Sequence, residues 1–309
     1  MVKVETEDIR AYELVHPEGN DLPAFTAGAH VDVHLSNDLV RQFSLCNDPR
    51  ETHRYLLGVL HEPDGRGGSA AMHDGVRAGD QITITVPRNN FPLAEDARRH
   101  LLIAGGIGIT PMLAMVHDLD TRGADYMLHY CTRSPQKTAF MAQLRHPQFG
   151  SHVAFHHDGG DPSKGLDVKA LLAQVEDGTH VYCCGPAGLM NAVKEASAHW
   201  PTGTVHFEYF STDAAASDQP NTAFEVEIAS SGEVYVIPPD KTILDVLLEN
   251  GHDVDSSCEE GLCGTCIVDV LDGVPDHRDL VLDDEEHESN QLMTVCCSRA
   301  KSGRLKLDL

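Results

Sequence analysis

The sequence predicts a multidomain protein of the β plus α/β class: an antiparallel β-barrel, an α/β domain and a compact C-terminal unit. Three observations predict this order. Residues 1–97 hold short β-like runs separated by Gly, Pro and Asp, and residues 98–210 alternate apolar strands with helical stretches. A polar segment at 211–222 then precedes residues 223–309, where a two-residue alternation begins. At 309 residues, the chain has about the length of two or three ordinary domains.

The predicted barrel depends on three short runs in the first block, at 30–35, 55–60 and 81–86. Each run is rich in residues that favour strands, and turn-forming residues separate one run from the next. Several short strands at this spacing are typical of a small antiparallel barrel.

The second block begins with an apolar strand at 101–104, which leads into a predicted helix at 111–119. Further strands are predicted at 126–130 and 180–183, and a further helix at 189–199. Strands that alternate with helices in this way are typical of a parallel sheet with crossover helices.

The polar segment at 211–222 has small residues and no periodicity, so we interpret it as a linker. After it, residues 224–228 and 234–237 alternate as strands do. A helix is predicted over 242–250, closed by Gly251. The chain that follows the linker is therefore expected to be a separate unit.

The charge of the chain excludes some classes of partner. There are 23 Lys and Arg against 48 Asp and Glu, a net charge of −25, and residues 223–309 alone carry −14 of it (6 basic, 20 acidic). Phosphate backbones and anionic membrane surfaces repel such a protein, so neither nucleic acid nor a membrane is an expected partner. The first residues lack the apolar core of a signal peptide. We therefore expect a cytoplasmic protein whose nine cysteines are reduced thiols or metal ligands.

Four cysteines near the C-terminus predict an iron–sulfur cluster. Cys258, Cys263 and Cys266 have the spacing C-x4-C-x2-C, and 29 residues separate Cys266 from Cys296. This is the plant-type [2Fe–2S] pattern, with two thiolates for each iron. Zinc sites usually pair two C-x2-C knuckles, and a Rieske centre needs C-x-H pairs, which the sequence lacks. The spacing leaves Cys297 as a competing fourth ligand.

A glycine-rich turn in the second block predicts a nucleotide site. The sequence Gly-Gly-Ile-Gly-Ile-Thr-Pro-Met at 105–112 follows a strand and opens a helix, where backbone N–H groups and the helix dipole favour a pyrophosphate. The third glycine of the dinucleotide fingerprint is absent, so a tight turn without a ligand is the alternative. A second element, Cys-Gly-Pro-Ala-Gly at 184–188, also follows a strand and would flank the same crevice.

The barrel block contains a third candidate site. It combines the segment Arg-Gln-Phe-Ser-Leu at 41–45, on a predicted strand, with Gly-Arg-Gly-Gly-Ser at 65–69. The glycines would wrap a phosphate, and Arg41 would add charge-assisted hydrogen bonds to it. Taken alone, the first segment is more often an ordinary edge strand.

In this order, the three motifs resemble the phthalate dioxygenase reductase family, close to the reductase components of vanillate-type O-demethylases, over essentially the whole chain. The resemblance implies a flavin-binding barrel over 1–97, a ferredoxin reductase-like nucleotide domain over 98–210 and a β-grasp ferredoxin domain over 223–309. It selects Cys296 as the fourth cluster ligand and leaves Cys297 as a small packing residue.

The resemblance also assigns cofactor-binding residues. Those expected to bind FMN are Arg41, Phe43, Ser44, Leu45, Gly67, Gly68 and Ser69. Those expected on the nicotinamide side are Gly106, Gly108, Thr110, Pro111, Cys184, Gly185 and Pro186. Aromatic residues before the linker would cover the flavin, with core packing expected for at least two of Phe207, Tyr209 and Phe210; Phe210 is the expected cofactor contact.

The implied activity is that of an NADH-dependent reductase that supplies single electrons to a separate terminal oxygenase, either a Rieske-type O-demethylase or an aromatic-ring dioxygenase. NADH would pass a hydride to the flavin beside Ser44 and Cys184, the expected catalytic residues, and the reduced FMN would feed the cluster. No general acid or base is required. The alternatives are a reductase for a haem monooxygenase and a ferredoxin-like carrier or redox sensor.

The preference for NADH or NADPH depends on the residues that end the second strand of the α/β domain, the strand predicted at 126–130. The sequence Tyr-Cys-Thr-Arg-Ser at 130–134 lacks the acidic residue that would hold an NAD ribose, and Arg133 could accept a 2′-phosphate. Family members with a similar Arg-Ser use NADH, so NADH is the expected donor.

Two polar clusters are interpreted as solvated loops. They are the histidine pair 156–157 and the acidic run 283–288, and no metal beyond the cluster iron is expected. We expect a monomer whose acidic C-terminal module docks on a basic patch of the oxygenase, so that electron transfer slows as salt rises.

Overall fold

The computed structural model describes residues 1–36, 39–63, 65, 67–210 and 221–309. The chain forms two compact units, Met1–Glu208 and Tyr209–Leu309. Most of the predicted linker and Arg66 of the second flavin segment lie outside the described residues. Within the described part of the chain, no helix is long and apolar enough to cross a bilayer.

The N-terminal part of the first unit contains two three-stranded antiparallel sheets, β1-β2-β5 and β4-β3-β6, and one helix. Its elements are β1 (Val2–Val4), β2 (Ile9–Leu14), β3 (His30–His34), β4 (Val40–Ser44), β5 (Tyr55–Leu60), α1 (Gly68–Gly75) and β6 (Thr83–Ile84). A backbone bridge between Leu45 and Leu57 connects the two sheets. The strand predicted over 81–86 is shorter in the structure, Thr83–Ile84, although Thr85 and Arg88 beyond it still form backbone hydrogen bonds with Asp32 and His30 of β3.

The rest of the first unit is a five-stranded parallel sheet, in the order β11-β10-β7-β8-β9, with crossover helices. Its elements are β7 (Arg99–Gly105), α2 (Ile109–Arg122), β8 (Asp125–Thr132), α3 (Met141–Leu144), β9 (Val153–His157), α4 (Val168–Leu171), β10 (Thr179–Cys184), α5 (Ala187–Ala196) and β11 (Val205–Glu208). Short 3-10 turns lie at Gly106–Gly108, Pro135–Lys137, Gly150–His152 and Pro162–Lys164. The predicted alternation of strands and helices therefore produces the parallel sheet expected from it.

The antiparallel sheets and the parallel sheet share one hydrophobic core. Tyr12 and Tyr55 from the strands of the first part are fully buried in the same cluster as Leu102, Met112 and Tyr130 of the α/β part. Burying large side chains from both parts in one cluster makes the first unit a single packed body.

The second unit is a five-stranded mixed sheet, β13-β12-β18-β14-β16, with a small β15-β17 pair beside it. Its elements are β12 (Phe224–Ile228), β13 (Val234–Ile237), α6 (Ile243–Glu249), β14 (Ile267–Asp272), β15 (Pro275–Asp276), α7 (Asp284–Ser289), β16 (Leu292–Thr294), β17 (Arg299–Ala300) and β18 (Arg304–Leu307). Thr242 begins α6 with a capping box to Asp245, as the helix predicted over 242–250 requires. Ile243 and Leu247 of this helix are buried in the core with Leu305.

The loop predicted for the acidic run 283–288 is wrong. Asp283 accepts a hydrogen bond from the Glu286 N–H and Glu286 accepts one from the Asp283 N–H, so the run forms a capping box and begins α7. Carboxylates are favourable at a helix N-terminus because the dipole is positive there. Asn290, with φ 53°, ends the helix.

The loop predicted for the histidine pair 156–157 is also wrong, because both residues lie on β9 and are partly buried. His156 Nε2 lies 3.0 Å from His129 Nδ1, and His157 Nδ1 lies 3.0 Å from Thr132 Oγ1. Both partners belong to β8, the neighbouring strand, so the pairs form only when the sheet does.

Candidate functional site

The four predicted cluster ligands come together at one end of the second unit. Cys258, Cys263 and Cys266 lie in the loop between α6 and β14, and Cys296 follows β16. The antiparallel pairing of β14 with β16 brings Cys296 to Cys266, and the Val295 N–H donates to the Cys266 carbonyl at 3.2 Å. All four side chains are buried, with at most 7% of any of these residues exposed.

Backbone N–H groups of the loop point at the sulfur atoms. The N–H groups of Glu260 and Leu262 lie 3.3 and 3.5 Å from Cys258 Sγ, and that of Thr265 lies 3.4 Å from Cys263 Sγ. The loop reaches this conformation through positive φ angles, including 70° and 73° at two glycines, Gly261 and Gly264. Such N–H groups stabilise thiolates and tune cluster potentials, so the loop fits a [2Fe–2S] group.

The thiols lie within hydrogen-bonding reach of one another. A hydrogen bond from Cys258 lowers the pKa of Cys263 to about 5, and hydrogen bonds from Cys296 lower the pKa of both Cys266 and Cys297. Four buried sulfurs gathered in this way are the donor set that a binuclear cluster needs, because each iron takes two thiolates.

Cys297 lies against Gly261, since a methyl group built on that glycine would come within 2.5 Å of Cys297 Sγ. Its thiol lies 3.2 Å from Thr294 Oγ1 and 4.0 Å from Ser298 Oγ. Cys296 is buried in the hydrophobic core together with Cys266, whereas Cys297 is only partly buried against that core. This difference favours Cys296 as the fourth ligand over Cys297, which also neighbours the Cys296 sulfur.

The two nucleotide motifs meet at the carboxyl edge of the parallel sheet. Strands β7 and β10 are paired in register, with Ala104 opposite Cys184, so both motif loops leave the sheet side by side. A methyl group on Gly108 would overlap the Cys184 carbonyl, and one on Gly185 would come within 2.9 Å of Gly105 Cα. The glycines therefore allow the two loops to touch, at the edge where open α/β sheets bind ligands.

The start of α2 is held by Thr110, whose buried Oγ1 donates to the Ile107 carbonyl at 3.0 Å. Pro111 lies in the first turn of this 14-residue helix, where its missing N–H costs nothing. Gly106 has a φ of 54°, which aims the short turn into the helix. Free N–H groups at this terminus suit a pyrophosphate.

Cys184 is completely buried, and burial raises the pKa of its thiol well above the usual value. The thiol is therefore protonated at neutral pH. Near the crevice, the backbone of Cys184 packs against Gly108. The Pro186 ring packs against Gly105.

Sequence reasoning missed Glu208, which ends β11 directly beside Cys184 in the strand register. Burial raises the pKa of Glu208 to about 8. An acidic residue closing a strand next to the Cys-Gly-Pro strand is the signal that would have found it. Perturbed carboxylates of this kind concentrate at functional sites.

The two flavin segments also meet. The side chain of Arg41, on β4, packs against Gly68, where a methyl group would overlap it. Gly67, with φ 83°, precedes α1 in a left-handed conformation that favours glycine. Ser69 Oγ accepts a hydrogen bond from the Glu62 N–H at 3.0 Å, which ties this segment to the end of β5. An arginine beside a glycine-lined turn fits a phosphate.

The remaining flavin-strand residues differ in exposure. Ser44 is buried at the end of β4, and Phe43 is partly buried. Leu45 is fully buried and bridges to Leu57, so it belongs to the core.

Three other predicted residues lie outside these segments of the sequence. Arg133 is exposed just after β8, at the carboxyl edge of the sheet. Phe207 lies on β11, whereas Phe210 belongs to the second unit and is 42% exposed.

Comparisons with known proteins agree with the cluster site and the nucleotide site. Residues 102–195 match the oxidoreductase NAD-binding domain model and residues 226–301 match the 2Fe-2S iron-sulfur cluster binding domain model. The chain is 48% identical to a tert-butanol monooxygenase / tert-amyl alcohol desaturase reductase subunit of Aquincola tertiaricarbonis, over 97% of this chain and 92% of that one. It is 46% identical to a vanillate O-demethylase oxidoreductase of Pseudomonas sp. strain HR199, over 100% and 98%.

Solved structures extend the likeness to the whole fold. A phthalate dioxygenase reductase, described as a modular structure for electron transfer from pyridine nucleotides to [2Fe-2S], is 43% identical with a TM-score of 0.76, over 100% of this chain and 96% of that one. An intact type IV self-sufficient cytochrome P450 monooxygenase is 39% identical with a TM-score of 0.88, over 100% and 40%. The predicted family and fold class are thereby confirmed. This chain belongs to the phthalate dioxygenase reductase family, oxidoreductases that carry electrons from NADH through a flavin to a [2Fe–2S] cluster as reductase components of oxygenases.

Proposed function

We propose that this chain delivers electrons from NADH, through FMN and a plant-type [2Fe–2S] cluster, to a Rieske-type terminal oxygenase. The observation that carries the proposal is the set of four buried thiols at one end of the second unit, with backbone N–H groups aimed at the sulfurs of Cys258 and Cys263. A ferredoxin-like site in the same chain as a nucleotide crevice supports a converter of electron pairs into single electrons.

In this proposal, Cys258, Cys263, Cys266 and Cys296 would hold the two irons, with two thiolates for each. The bound flavin would supply a hydride acceptor, and the bound cluster would supply one-electron transfer. The task of the chain is to hold the cluster in a buried loop, where water is excluded and N–H groups offset the negative charge of the thiolates. Cys297 serves as a packing residue next to Gly261.

For NADH, we propose that the pyrophosphate binds the N–H groups at the start of α2, with Gly106, Gly108, Thr110 and Pro111 shaping that turn. The nicotinamide would lie against the second loop, Cys184-Gly185-Pro186. Arg133, exposed at the same edge of the sheet, would contact the adenosine ribose without requiring a 2′-phosphate.

For FMN, we propose that Arg41 binds the phosphate together with Gly67, Gly68 and Ser69. Ser44 would donate a hydrogen bond near flavin N5 and so orient the ring for hydride arrival. Phe43 and Leu45 hold that strand against the core on either side of Ser44. We also keep Phe210 as a proposed flavin contact.

The partner is proposed from charge. Residues 223–309 carry a net charge of −14, and Glu259 lies exposed inside the cluster loop. Such a surface favours a basic docking patch on the oxygenase, so electron-transfer rates should fall as ionic strength rises. All nine cysteines are free thiols, which suits a reducing cytoplasm. Because one chain contains every step from NADH to the cluster, we propose that it acts as a monomer.

The test uses the Cys266→Ser variant of the full chain. Addition of NADH should bleach both flavin and cluster absorbance in the wild type, but only flavin absorbance in the variant. NADH-to-dye reduction should survive in the variant, whereas reduction of a Rieske oxygenase should be lost. Equal loss of both activities would contradict the assigned order of electron transfer.

A reductase for a haem monooxygenase is the second candidate, supported by the 39% identity to the self-sufficient cytochrome P450. Stopped-flow reduction of a Rieske oxygenase and of a haem monooxygenase by the same NADH-reduced chain separates the two. Faster reduction of the haem protein at equal concentration would favour this second candidate.

A further inference from the structure

Three side chains of the second unit converge on one point between β15 and the end of α7. His277 and Asp279 follow β15, and His287 lies on α7. Asp279 Oδ2 lies 3.2 Å from His287 Nε2, and Asp279 Oδ1 lies 3.6 Å from His277 Nδ1. One ligand atom from each of the three lies within 4.8 Å of the others.

His277 is the unexplained member of this group. Its side chain is only 8% exposed, and neither ring nitrogen has a hydrogen-bond partner among the residues that the structure describes. Buried imidazole nitrogens are normally satisfied, so one left without a partner and beside a carboxylate points to a missing ligand. The His287 ring lies alongside, with 4.4 Å between the two ring centroids.

We propose that His277, Asp279 and His287 bind a divalent metal ion of the zinc class. Two imidazoles and one carboxylate are a donor set that zinc uses, with water in the fourth position. Metal–ligand bonds of about 2.0–2.2 Å in tetrahedral geometry place the donors about 3.3 Å apart. The two oxygens of Asp279 lie 3.2 Å and 3.6 Å from the nearest nitrogens of His287 and His277, and one ligand atom from each of the three residues lies within 4.8 Å of the others. The ion would lie between these three ligand atoms.

Hydrogen bonds from neighbouring residues hold the Asp279 carboxylate in place, as is usual for a metal ligand. Its carboxylate is fully buried, and the Leu282 N–H donates to Oδ2 at 3.0 Å. Ser298 Oγ donates to Oδ1 at 3.3 Å. Since each carboxylate oxygen has two lone pairs, one remains on each for a metal or an imidazole. Hydrogen-bonded carboxylates of this kind are typical outer support in metal sites.

The site adjoins the cluster loop without sharing its ligands. The Leu280 N–H donates to the Gly261 carbonyl at 3.0 Å, and a methyl group on Gly261 would lie 2.9 Å from Asp279 Cα. A metal here would join the segment before α7 to the helix itself, directly behind the loop that holds the cysteines. Zinc would therefore slow the loss of iron from the cluster, because it binds the folded unit.

The test uses the full chain with two irons bound, so that the cluster cysteines cannot capture zinc. After treatment with a mild chelator, the wild type should bind one zinc per chain in a calorimetric titration with Zn²⁺. His287→Gln and His277→Gln should each weaken that binding by at least about 100-fold while keeping two irons. His252→Gln, which removes an imidazole bonded to Tyr235 in the same unit, is the matched control and should bind zinc normally.

X-ray absorption at the zinc edge of the wild type gives a readout that needs no variant. Two imidazoles and oxygen ligands would support the site; sulfur ligands would overturn it. The proposal also fails if the wild type binds no zinc equivalent, or if binding survives in either histidine variant. Slower iron release from the wild type on adding Zn²⁺, absent in His287→Gln, would support the bracing role.

Discussion

The cluster loop and the nucleotide crevice differ in what their residues contribute to the site. In the second unit, the site consists of side-chain donors, with four thiols supplied mostly by nine consecutive residues. In the first unit, the crevice depends on glycines. Because Gly105 and Gly108 have no side chains, the backbones of the two motif loops can touch. A donor site loses its ligand when a donor is removed, whereas a glycine site is damaged when an atom is added. Variants that do one or the other test this contrast.

The largest effect is expected from the donor side. Cys296→Ser should leave the protein without its [2Fe–2S] absorbance, because only three thiolates remain for two irons. Cys297→Ser should keep two irons per chain, since its thiol packs beside Thr294 and Gly261. Iron analysis and the visible spectrum check both. If Cys297→Ser instead loses the cluster, the ligand assignment is reversed.

The next largest effect, on turnover of NADH, is expected from a variant that adds one methyl group to the crevice. Gly108→Ala should reduce kcat/KM for NADH by about 100-fold, because a methyl group overlaps the Cys184 carbonyl and backbone must move. Gly150→Ala is the matched control: it lies in the turn before β9, outside both nucleotide motifs, and its added methyl group meets only the Arg145 carbonyl at an ordinary 3.8 Å, so turnover should be unchanged. Steady-state kinetics with NADH decide the matter, and similar rates for the two variants would refute the close-approach argument.

A smaller effect is expected where the obstruction is a flexible side chain. Gly68→Ala should weaken FMN binding about 10-fold, because the methyl group displaces the Arg41 side chain rather than backbone. Gly75→Ala, at the open end of the same helix, should bind FMN as the wild type does. Fluorescence titration of the deflavinated proteins measures both affinities. Equal affinities would mean that Arg41 does not hold the phosphate.

The last effect concerns pH, and it acts on stability rather than on activity or binding. Burial raises the pKa of Glu208 from 4.5 to about 8, so the folded state holds a proton that the unfolded chain releases above about pH 4.5. The free energy of unfolding should therefore decrease by a few kcal/mol, on the order of 2–4, as pH rises from about 4.5 to about 8. Glu208→Gln should remove this decrease. Subtracting the wild-type unfolding curve from that of the variant at several pH values isolates it; parallel curves would show that Glu208 ionises normally.

The features that the sequence predicted well are formed by residues close together in the sequence. The three cysteines at 258–266 and the strand–turn–helix at 105–112 each lie within one short segment, where the chemistry can be interpreted without the fold. The helix of residues 284–289 was also local, but its acidic composition was interpreted as solvation when the spacing of Asp283 and Glu286 already formed a capping box.

What could not be predicted depends on strand pairing. His156 meets His129 only because β9 pairs with β8, and Glu208 reaches Cys184 only because β11 pairs with β10. The same holds for Cys184: its place in a central strand buries the thiol. The partners in these two pairs are 24 and 27 residues apart in the sequence, so only the order of the strands in the sheet shows that they meet.

The pairing of β14 with β16 also dictates an order of assembly. Three cysteines are close neighbours along the chain, but Cys296 arrives only when the ladder from Ile267 to Thr294 has closed a long connection. Closing such a connection costs entropy before any contact repays it. Complete ligation of the cluster is therefore late in folding, and the incorporation of iron reports that the strands of the second unit have found their register. A slip of one residue would present Cys297 where Cys296 belongs.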